Sequence, residues 1–214
     1  MQINKFVMGG VAVALVAVFV IAANWYRSEE ATQAEQTASQ GSDRLVRPHS
    51  PTLGPADAPV TLVEFLDPEC EACGAMHPIV KQLMGEFDGR VRLVVRYMPF
   101  HQNSAYAASL LEGAREQNKY WELMDVIFAR QPEWAAHDAP RPDLLATYAR
   151  NLGLDMTRLG VTGTSAETER RIRQDAEDGQ ALGVTRTPTF FVNGTPLPQI
   201  GYEPVRAAIA AALK

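Results

Sequence analysis

The chain has 214 residues, of which 46% are hydrophobic and 21% are charged, and its formal net charge is −5. This composition predicts one folded domain with residues left over for tails, and it excludes a disordered, collagen-like or coiled-coil protein. The negative charge argues against a nucleic-acid partner, because proteins that bind nucleic acid usually present a basic face. With 2 cysteines and 4 histidines, a disulfide scaffold or a multi-ligand zinc framework is not expected.

The amino terminus carries an apolar segment over residues 6–23 that contains no charged or polar side chain. A bilayer-spanning helix needs about 20 apolar residues, and the apolar core of a secretory signal is usually shorter. Trp25 and Tyr26 follow, where an aromatic anchor at the membrane interface would lie. We therefore expect residues 1–27 to be an uncleaved signal anchor, with a cleaved signal peptide as the alternative. Either one would carry the rest of the chain across the membrane.

A polar segment separates this anchor from the folded part. Residues 28–54 are rich in small and polar side chains and contain few large apolar ones. Such a segment cannot bury enough surface to offset the entropy lost on ordering, so we expect a flexible linker. The folded domain is expected over residues 55–214.

The first part of the domain is predicted to be a strand, a helix and a second strand. Residues 60–66 are mostly β-branched or apolar, as in a strand buried on both faces. Asp67 and Pro68 are typical of an N-cap followed by the first helical residue, which predicts a helix from there towards Glu86. Residues 91–98 predict the second strand, so these elements form a βαβ unit.

The rest of the domain is predicted to be helical before it returns to the sheet. Apolar or charged faces recur at helical spacing in four segments, residues 104–117, 120–130, 141–151 and 167–182. A helical block is therefore expected over about 102–183. A strand at 189–192, a turn at Asn193-Gly194 and a final helix at 203–213 complete the prediction.

The only two cysteines are Cys70 and Cys73, separated by Glu71 and Ala72. At the start of a helix this spacing brings the two sulfurs close enough to bond. The amino end of the helix favours a thiolate at Cys70, whereas Cys73 lies one turn further in and is expected to be shielded. Cys70 would therefore attack or be attacked, and Cys73 would resolve the mixed disulfide.

Two other uses of the same cysteines are possible. A disulfide that only stabilises the fold is a poor explanation, because closing so short a loop removes little chain entropy. Cys70, Cys73 and His77 lie near one helix face, and copper(I) accepts two thiolates, so a non-enzymatic copper(I) carrier is an alternative. Zinc would need a fourth ligand that we cannot name. We predict no resident metal or other cofactor.

The segment from Phe65 to Cys73 resembles the active-site segment of the DsbA-like thioredoxin-fold proteins, and the resemblance extends over residues 55–214. Further positions match the buried acid of these folds, the proline that kinks their active-site helix and their cis-proline loop, namely Glu64, Pro78 and Thr187-Pro188. Such a spread of matches is much more specific than two spaced cysteines.

The resemblance implies an α/β, thioredoxin-like fold with a helical insertion, preceded here by one amino-terminal transmembrane helix. It implies a bacterial thiol–disulfide oxidoreductase whose clients are exported cysteine-containing proteins and which is reset by a membrane or periplasmic redox partner. Beside a cis Pro188, the backbone of Thr187 would pair with an extended client. We expect a single-pass inner-membrane protein, anchored through residues 6–23, with its catalytic domain in the periplasm or extracytoplasmic space.

Glu64 and Pro78 are expected to act in different ways. Glu64 lies in an apolar strand, so burial should raise its pKa and allow it to pass a proton to or from Cys73. Pro78 lacks the N–H that would bond to the carbonyl of Gly74, so it should bend the helix and affect its shape alone.

The direction of electron flow is predicted from the charges around Cys70. Three acids surround it, namely Asp67, Glu69 and Glu71. Their charge should raise the pKa of Cys70 and make the site a weaker oxidant than DsbA, and the dipeptide Glu71-Ala72 helps to set that potential. Disulfide oxidase or general thiol oxidoreductase is the favoured activity. The alternative enzyme is a reductant of one specific exported client.

Overall fold

The computed structural model describes residues 43–159 and 165–214. Within them the strands are β1 (Thr52–Leu53), β2 (Val60–Leu66), β3 (Val91–Tyr97), β4 (Thr189–Val192) and β5 (Thr195–Pro196). They form one sheet in the order β1-β3-β2-β4-β5. β2 and β3 are parallel, whereas the other neighbouring strands are antiparallel, so the sheet is mixed.

Helices connect and cover these strands. They are α1 (Glu71–Glu86), α2 (Ser104–Arg115), α3 (Tyr120–Ala129), α4 (Gln131–Trp134), α5 (Asp143–Asn151), α6 (Ala166–Ala181) and α7 (Tyr202–Ala212). α1 joins the parallel strands β2 and β3, which gives the expected βαβ unit. The helices from α2 to α6 lie between β3 and β4 in the chain, where the helical block was expected. The short helix α4 was not predicted, and one of its residues proves important at the site.

The central strand β2 contributes to two cores because successive side chains point to opposite faces of the sheet. Leu62 and Leu66 belong to the main core, which also contains Cys73 of α1. Val63 and Phe65 belong to a second, smaller core on the other face. By the same alternation, Glu64 points to the face of the sheet that α1 covers. The fold therefore directs this one acid of β2 towards the helix that carries the cysteines.

The active-site helix begins later than the sequence predicted. α1 starts at Glu71, and Cys70 is its N-cap residue with φ −72° and ψ 121°. The predicted start at Asp67-Pro68 is wrong because the carboxylate of Asp67 accepts hydrogen bonds from a distant loop, including the N–H of Phe100 at 2.8 Å. Asp67 therefore fastens the turn before the helix instead of capping it.

The folded unit begins before the expected boundary at residue 55. Arg44–Lys214 forms one compact unit. Leu45 is buried in the smaller core, and Arg47 forms a bidentate pair with Asp178 of α6, with both contacts at 2.7 Å. Residues 44–54 are thus part of the fold, although their polar composition favoured a linker. Arg47 and His49 of this segment contact the buried acids Asp178 and Asp175, which the local sequence does not reveal.

The predicted signal anchor over residues 1–27 lies outside the described residues, as does the first part of the predicted linker. Among the helices of residues 43–159 and 165–214, none combines the length and the apolar character that crossing a bilayer requires. The predicted turn at Asn193-Gly194 is confirmed. It joins β4 to β5, and both of its residues have positive φ angles, 45° and 87°.

Candidate active site

The two cysteines lie together at the amino end of α1, where both are free thiols. Cys70 is partly exposed, whereas Cys73 is 1% exposed and belongs to the main core. The backbone N–H of Asp67 donates to Cys73 Sγ over 3.4 Å. The pair combines one sulfur that another molecule can reach with one that the fold encloses.

The surroundings of Cys70 favour its thiolate. A hydrogen bond from the thiol of Cys73 is the largest effect and lowers the pKa of Cys70, while partial burial opposes it. The side chain of Thr187 and the backbone N–H groups of Cys73 and Ala72 lower this pKa further, so that it falls from 9.0 to about 5. At neutral pH the thiolate form therefore dominates. The thiolate that the helix start predicts at Cys70 is thus favoured, and the expectation that the nearby acids make the site a weaker oxidant than DsbA stays a prediction.

Hydrogen bonds to the carboxylate of Asp67 reduce the effect of its charge on Cys70. Asp67 is fully buried and accepts from the backbone N–H groups of Glu69 and Phe100, both at 2.8 Å. The ring of His101 reaches the same carboxylate, with Nδ1 2.7 Å from Oδ2. These hydrogen bonds offset the negative charge of Asp67, so it repels the Cys70 thiolate less than an unpartnered carboxylate would.

The other two acids are also partnered or exposed. Glu69 accepts from the backbone N–H of Asn103 at 2.6 Å and from its side-chain amide at 2.9 Å. Glu71 and Ala72, the dipeptide between the cysteines, are exposed. The carboxylate of Glu71 faces solvent and His137, with 3.3 Å between Oε1 and Nε2. Water and salt screen such a charge, so it has little effect on Cys70.

Cys73 has the opposite properties to Cys70. Burial is the largest effect and raises the pKa of Cys73 far above its ordinary value; its hydrogen bond to Cys70 and the charge of Glu64 raise it further. Glu64 is itself 4% exposed, and burial raises its pKa from 4.5 to about 8. The predicted rise in the pKa of Glu64 is confirmed. The buried thiol and the buried carboxyl interact, and both favour their protonated forms at neutral pH.

A small cavity adjoins Glu64 and extends towards the surface. It has a volume of about 70 Å³, and its polar lining comes from Glu64, His77, Lys81 and Asp125, while the remaining lining is mainly apolar. His77 Nε2 is 2.7 Å from Asp125 Oδ1, and Lys81 Nζ donates to the other carboxylate oxygen at 2.5 Å. Lys81 is exposed and Asp125 is partly exposed, so these polar groups connect the cavity beside the buried carboxyl with solvent.

The loop before β4 meets the reactive cysteine. The Thr187–Pro188 peptide bond is cis, as predicted. Cys70 Sγ donates to the carbonyl oxygen of Thr187 over 3.4 Å, which brings this predicted client-binding residue to the redox pair. Pro188 is buried behind it. Pro78, the residue predicted to shape the helix, lies inside α1, eight positions after Cys70 and five after Cys73.

Three residues of the site were not predicted from the sequence, namely His101, Asn103 and Gln131. His101 and Asn103 follow β3 and bond to the acids before Cys70. Gln131 lies in α4 and bonds to the backbone on either side of Glu69. No local pattern marks them, because each acts through a partner more than thirty positions away in the chain.

His77 does not join the cysteines in a ligand set. Its Nε2 atom is held by Asp125, and its ring stacks on Phe128 with 4.9 Å between the ring centroids. Across residues 43–159 and 165–214, no group of three or more His, Cys, Asp or Glu side chains could hold a metal ion. A copper(I) ion would therefore have only the two sulfurs of Cys70 and Cys73 as ligands from these residue types.

Sequence comparison relates the chain to known proteins. A family model described as thioredoxin matches residues 47–211. The Na(+)/H(+) antiporter NhaA 3 of Salinispora tropica is 38% identical over 164 residues, which cover 73% of this chain and 24% of that protein. The Na(+)/H(+) antiporter NhaA of Herminiimonas arsenicoxydans is 37% identical over 141 residues, covering 66% and 22%. The chain thus spans about a quarter of the length of the curated relatives it matches.

Solved structures share the fold. A thioredoxin-like oxidoreductase from Silicibacter pomeroyi aligns with a TM-score of 0.69 and 28% identity, covering 80% of this chain and 96% of the other. BdbD from Bacillus subtilis aligns with a TM-score of 0.66 and 25% identity, covering 77% and 93%. The thiol-disulfide exchange protein alpha-DsbA2 from Wolbachia pipientis has the same fold, with a TM-score of 0.68, 19% identity and coverage of 84% and 97%. The chain therefore belongs to the thioredoxin family.

Proposed function

We propose that this chain is an extracytoplasmic disulfide oxidase that exchanges disulfides with exported cysteine-containing proteins. The observation that carries the proposal is the contrast between the two sulfurs. Cys70 is accessible and has a pKa lowered to about 5, whereas Cys73 is buried and its pKa is raised far above the ordinary value. A dithiol with one stable thiolate and one protonated, enclosed partner suits thiol–disulfide exchange.

The reaction begins with the oxidised Cys70–Cys73 disulfide. A client thiolate attacks Cys70 Sγ, the bond between the two protein sulfurs breaks, and Cys73 leaves and takes up a proton. A second client thiolate then attacks the client sulfur of the mixed disulfide, and Cys70 leaves as a thiolate. Two electrons pass from the client to the protein, and the client gains one disulfide. A membrane or periplasmic redox partner removes those electrons and restores the protein disulfide.

Glu64 is the group that handles the proton of Cys73. Its raised pKa of about 8 keeps it protonated at neutral pH, so it can donate when Cys73 leaves. Its carboxylate form can accept the proton when Cys73 must become a nucleophile. The cavity between Glu64 and the His77–Asp125 pair supports exchange of this proton with solvent. A cavity of this volume can hold water where its lining offers polar partners, as it does beside Glu64, His77 and Asp125.

The lowered pKa of Cys70 supports oxidation over reduction. Stabilising the thiolate stabilises the reduced protein and so makes its disulfide a stronger oxidant. A pKa of about 5 lies between those of DsbA, about 3.5, and thioredoxin, about 7. We accordingly expect a reduction potential between about −270 and −120 mV, closer to the oxidising end. The site would be a weaker oxidant than DsbA but not a thioredoxin-like reductant.

The client binds beside Cys70 through the loop at Thr187. The contact between Cys70 Sγ and the carbonyl oxygen of Thr187 supports this role, because a client sulfur bonded to Cys70 would lie against the same backbone. An extended client can pair with this backbone with little dependence on its sequence. Pro188, buried behind Thr187, shapes the loop.

Residues 6–23 would anchor the chain in the bacterial inner membrane with the catalytic domain outside the cytoplasm, where clients acquire disulfides. The linker between anchor and domain would then end near Arg44, where the folded unit begins. The remainder, to residue 214, is the catalytic domain. Protease treatment of spheroplasts should digest the domain while the anchor stays in the membrane fraction.

Trapping of mixed disulfides tests the function directly. Cys73→Ser should accumulate mixed disulfides between Cys70 and exported proteins, because the resolving thiol is missing. Cys70→Ser is the matched control and should trap few or none. A separate assay should follow oxidation of a reduced two-cysteine peptide by the purified disulfide form in the presence of a metal chelator. Exchange that requires added copper would instead support the copper(I) carrier.

A further inference from the structure

A side chain from the helical block holds the backbone of the redox turn. Gln131, the first residue of α4, is buried, and its Nε2 atom donates to the carbonyl oxygens of Pro68 and Cys70, both at 2.9 Å. These two carbonyls lie on either side of Glu69, immediately before α1. One amide group therefore fastens both ends of the segment that carries the reactive cysteine.

The geometry uses the whole donor capacity of the amide. A glutamine NH₂ group has two N–H donors, and each meets one carbonyl oxygen. The opposite orientation would point Oε1 at the same two oxygens, so the hydrogen bonds dictate which way the amide faces. The base of the side chain is equally well held, because Trp134 of the same short helix is fully buried and donates from Nε1 to the carbonyl of Ile127 at 2.9 Å.

A glycine on the active-site helix makes room for this amide. Gly74 lies in the first turn of α1, and a Cβ atom added there would be 2.3 Å from Gln131 Oε1. Real Cβ atoms do not approach other atoms so closely, so an alanine at this position would displace the glutamine amide. Glycine is a much poorer helix former than alanine, which makes its presence in α1 informative.

We propose that Gln131 is a positioning residue for Cys70, and that the absence of a side chain at Gly74 leaves the room that the Gln131 amide needs. The amide holds Cys70 in the extended N-cap conformation, from which its sulfur faces the N–H groups at the start of α1 and the thiol of Cys73. The inference rests on the proposed function, since it assigns a residue that tunes the same redox pair.

The chemical consequence concerns the reduced state. When the amide is removed, the carbonyls of Pro68 and Cys70 lose a buried donor and the turn can relax. Cys70 Sγ then loses alignment with the donors that stabilise its thiolate. The pKa of Cys70 should rise, the reduced protein should be less favoured, and the disulfide should become a weaker oxidant.

The first test replaces the donor and keeps the shape of the side chain. Gln131→Met should raise the pKa of Cys70 by about one unit and shift the equilibrium with glutathione about five- to tenfold towards the protein disulfide. Gln117→Met is the matched control, because Gln117 also clamps backbone, donating to the carbonyl of Asp155 at 3.2 Å and accepting from its N–H at 2.8 Å. Gln117 follows the carboxyl end of α2, and the length of that helix, about 18 Å, separates Gln117 from Ser104 at its other end. The control should leave the pKa of Cys70 and the glutathione equilibrium unchanged.

The second test asks whether Gly74 acts through the glutamine. Gly74→Ala should raise the pKa of Cys70 in the wild-type background, because the new methyl group displaces the amide. In a Gln131→Ala background the same change should have almost no further effect on the pKa, since the atom it displaces is gone. Equal shifts of the pKa in both backgrounds would overturn the inference. If Gln131→Met does not fold, the Gly74→Ala variant alone still decides: a folded variant with an unchanged Cys70 pKa also overturns it.

The proposed function and the role of Gln131 can be tested separately. If the wild-type protein has an ordinary Cys70 pKa and does not exchange with glutathione, the proposed function is wrong. If the wild-type protein exchanges as expected and Gln131→Met matches the Gln117→Met control, the proposed function stands and only the role of Gln131 is wrong.

Discussion

The ring of His101 lies against the buried carboxylate of Asp67, with 2.7 Å between Nδ1 and Oδ2. The N–H of Asp67 in turn donates to Cys73 Sγ, so this pair adjoins the redox centre. Burial lowers the pKa of His101, but the hydrogen bond and charge of Asp67 raise it overall, with further contributions from the charges of Cys70 and Glu69. The dipeptide between the cysteines contains no basic residue, and His101 brings an imidazole with a raised pKa to the site from another part of the chain.

The titration of His101 should depend on the redox state. When the disulfide forms, the negative charge of Cys70 disappears, so the pKa of His101 should fall. NMR titration of the imidazole in the reduced and oxidised proteins measures this change. His77, whose pKa is lowered by burial and adjusted by Asp125 and Lys81, is the internal control and should titrate alike in both states. An unchanged His101 pKa would mean that it does not sense Cys70.

The thiol of Cys73 should control the acidity of Cys70. Because its hydrogen bond is the largest effect that lowers the pKa of Cys70, Cys73→Ala should raise that pKa by about one to two units. Cys73→Ser keeps an O–H donor at the same place, so it should retain most of the lowering. The pH dependence of the alkylation rate measures the pKa in both variants. If the pKa of Cys70 stays low in both the alanine and the serine variant, the low pKa is due to the helix amino end and not to Cys73.

The sequence predicted the framework of the sheet because local pattern determines it. Residues 60–66 and 189–192 form β2 and β4 as expected, since their β-branched and aromatic side chains are buried there. The cysteine pair, Glu64 and Thr187 meet as expected for a similar reason, because the fold itself brings them together. These predictions needed only the order of elements and a resemblance in a few spaced motifs.

The polar connections could not be predicted in this way. The start of α1 was misplaced because Asp67 bonds to Phe100, 33 positions further along the chain. The acids before Cys70 have hydrogen-bond partners in distant residues, His101 for Asp67 and Asn103 for Glu69, which the local sequence does not show. Gln131 lies 61 positions from Cys70 and has no local signal. Hydrogen bonds between distant residues depend on side-chain geometry, which hydrophobic periodicity does not encode.

Glu64 should make the fold less stable as the pH rises. Its folded-state pKa of about 8 lies above the ordinary 4.5, so the folded protein holds a proton that the unfolded chain releases between these values. Stability therefore falls as the pH increases through this range. Glu64→Leu should remove this dependence and raise the free energy of unfolding by about 2–4 kcal/mol at pH 7. Because burial is the cause of the shift, the effect should persist in the oxidised protein, where the thiols do not titrate.

Urea denaturation of the oxidised wild-type protein and of Glu64→Leu at pH 5 and pH 8 measures this effect. Glu116→Gln changes an exposed acid and should leave the pH dependence as it is in the wild type. The stabilised Glu64→Leu variant should also release clients more slowly, because Cys73 loses its proton donor and acceptor. A stability gain that is equal at both pH values would contradict a buried, titrating Glu64.

Arg96 should contribute more to stability than any exposed ion pair of the domain, because it is fully buried between two buried acids. Its Nε donates to Asp175 at 2.8 Å and its Nη2 to Asp178 at 2.7 Å. Arg96→Met would leave both carboxylates buried with fewer donors, so we expect the free energy of unfolding to fall by about 3–5 kcal/mol at pH 7. Arg47→Met removes a partly exposed partner of Asp178 and should cost about 1 kcal/mol.

Burial raises the pKa of Asp178, but the two arginines lower it overall, to below 3.8. The stability they provide is therefore present above that value and is lost as the pH falls through the folded-state pKa. Without Arg96 the carboxylate takes up a proton at a higher pH, so the cost of Arg96→Met should shrink between pH 7 and pH 4. Denaturation curves at the two pH values measure both trends, and a cost under about 1 kcal/mol at pH 7 would show that the buried acids find other donors.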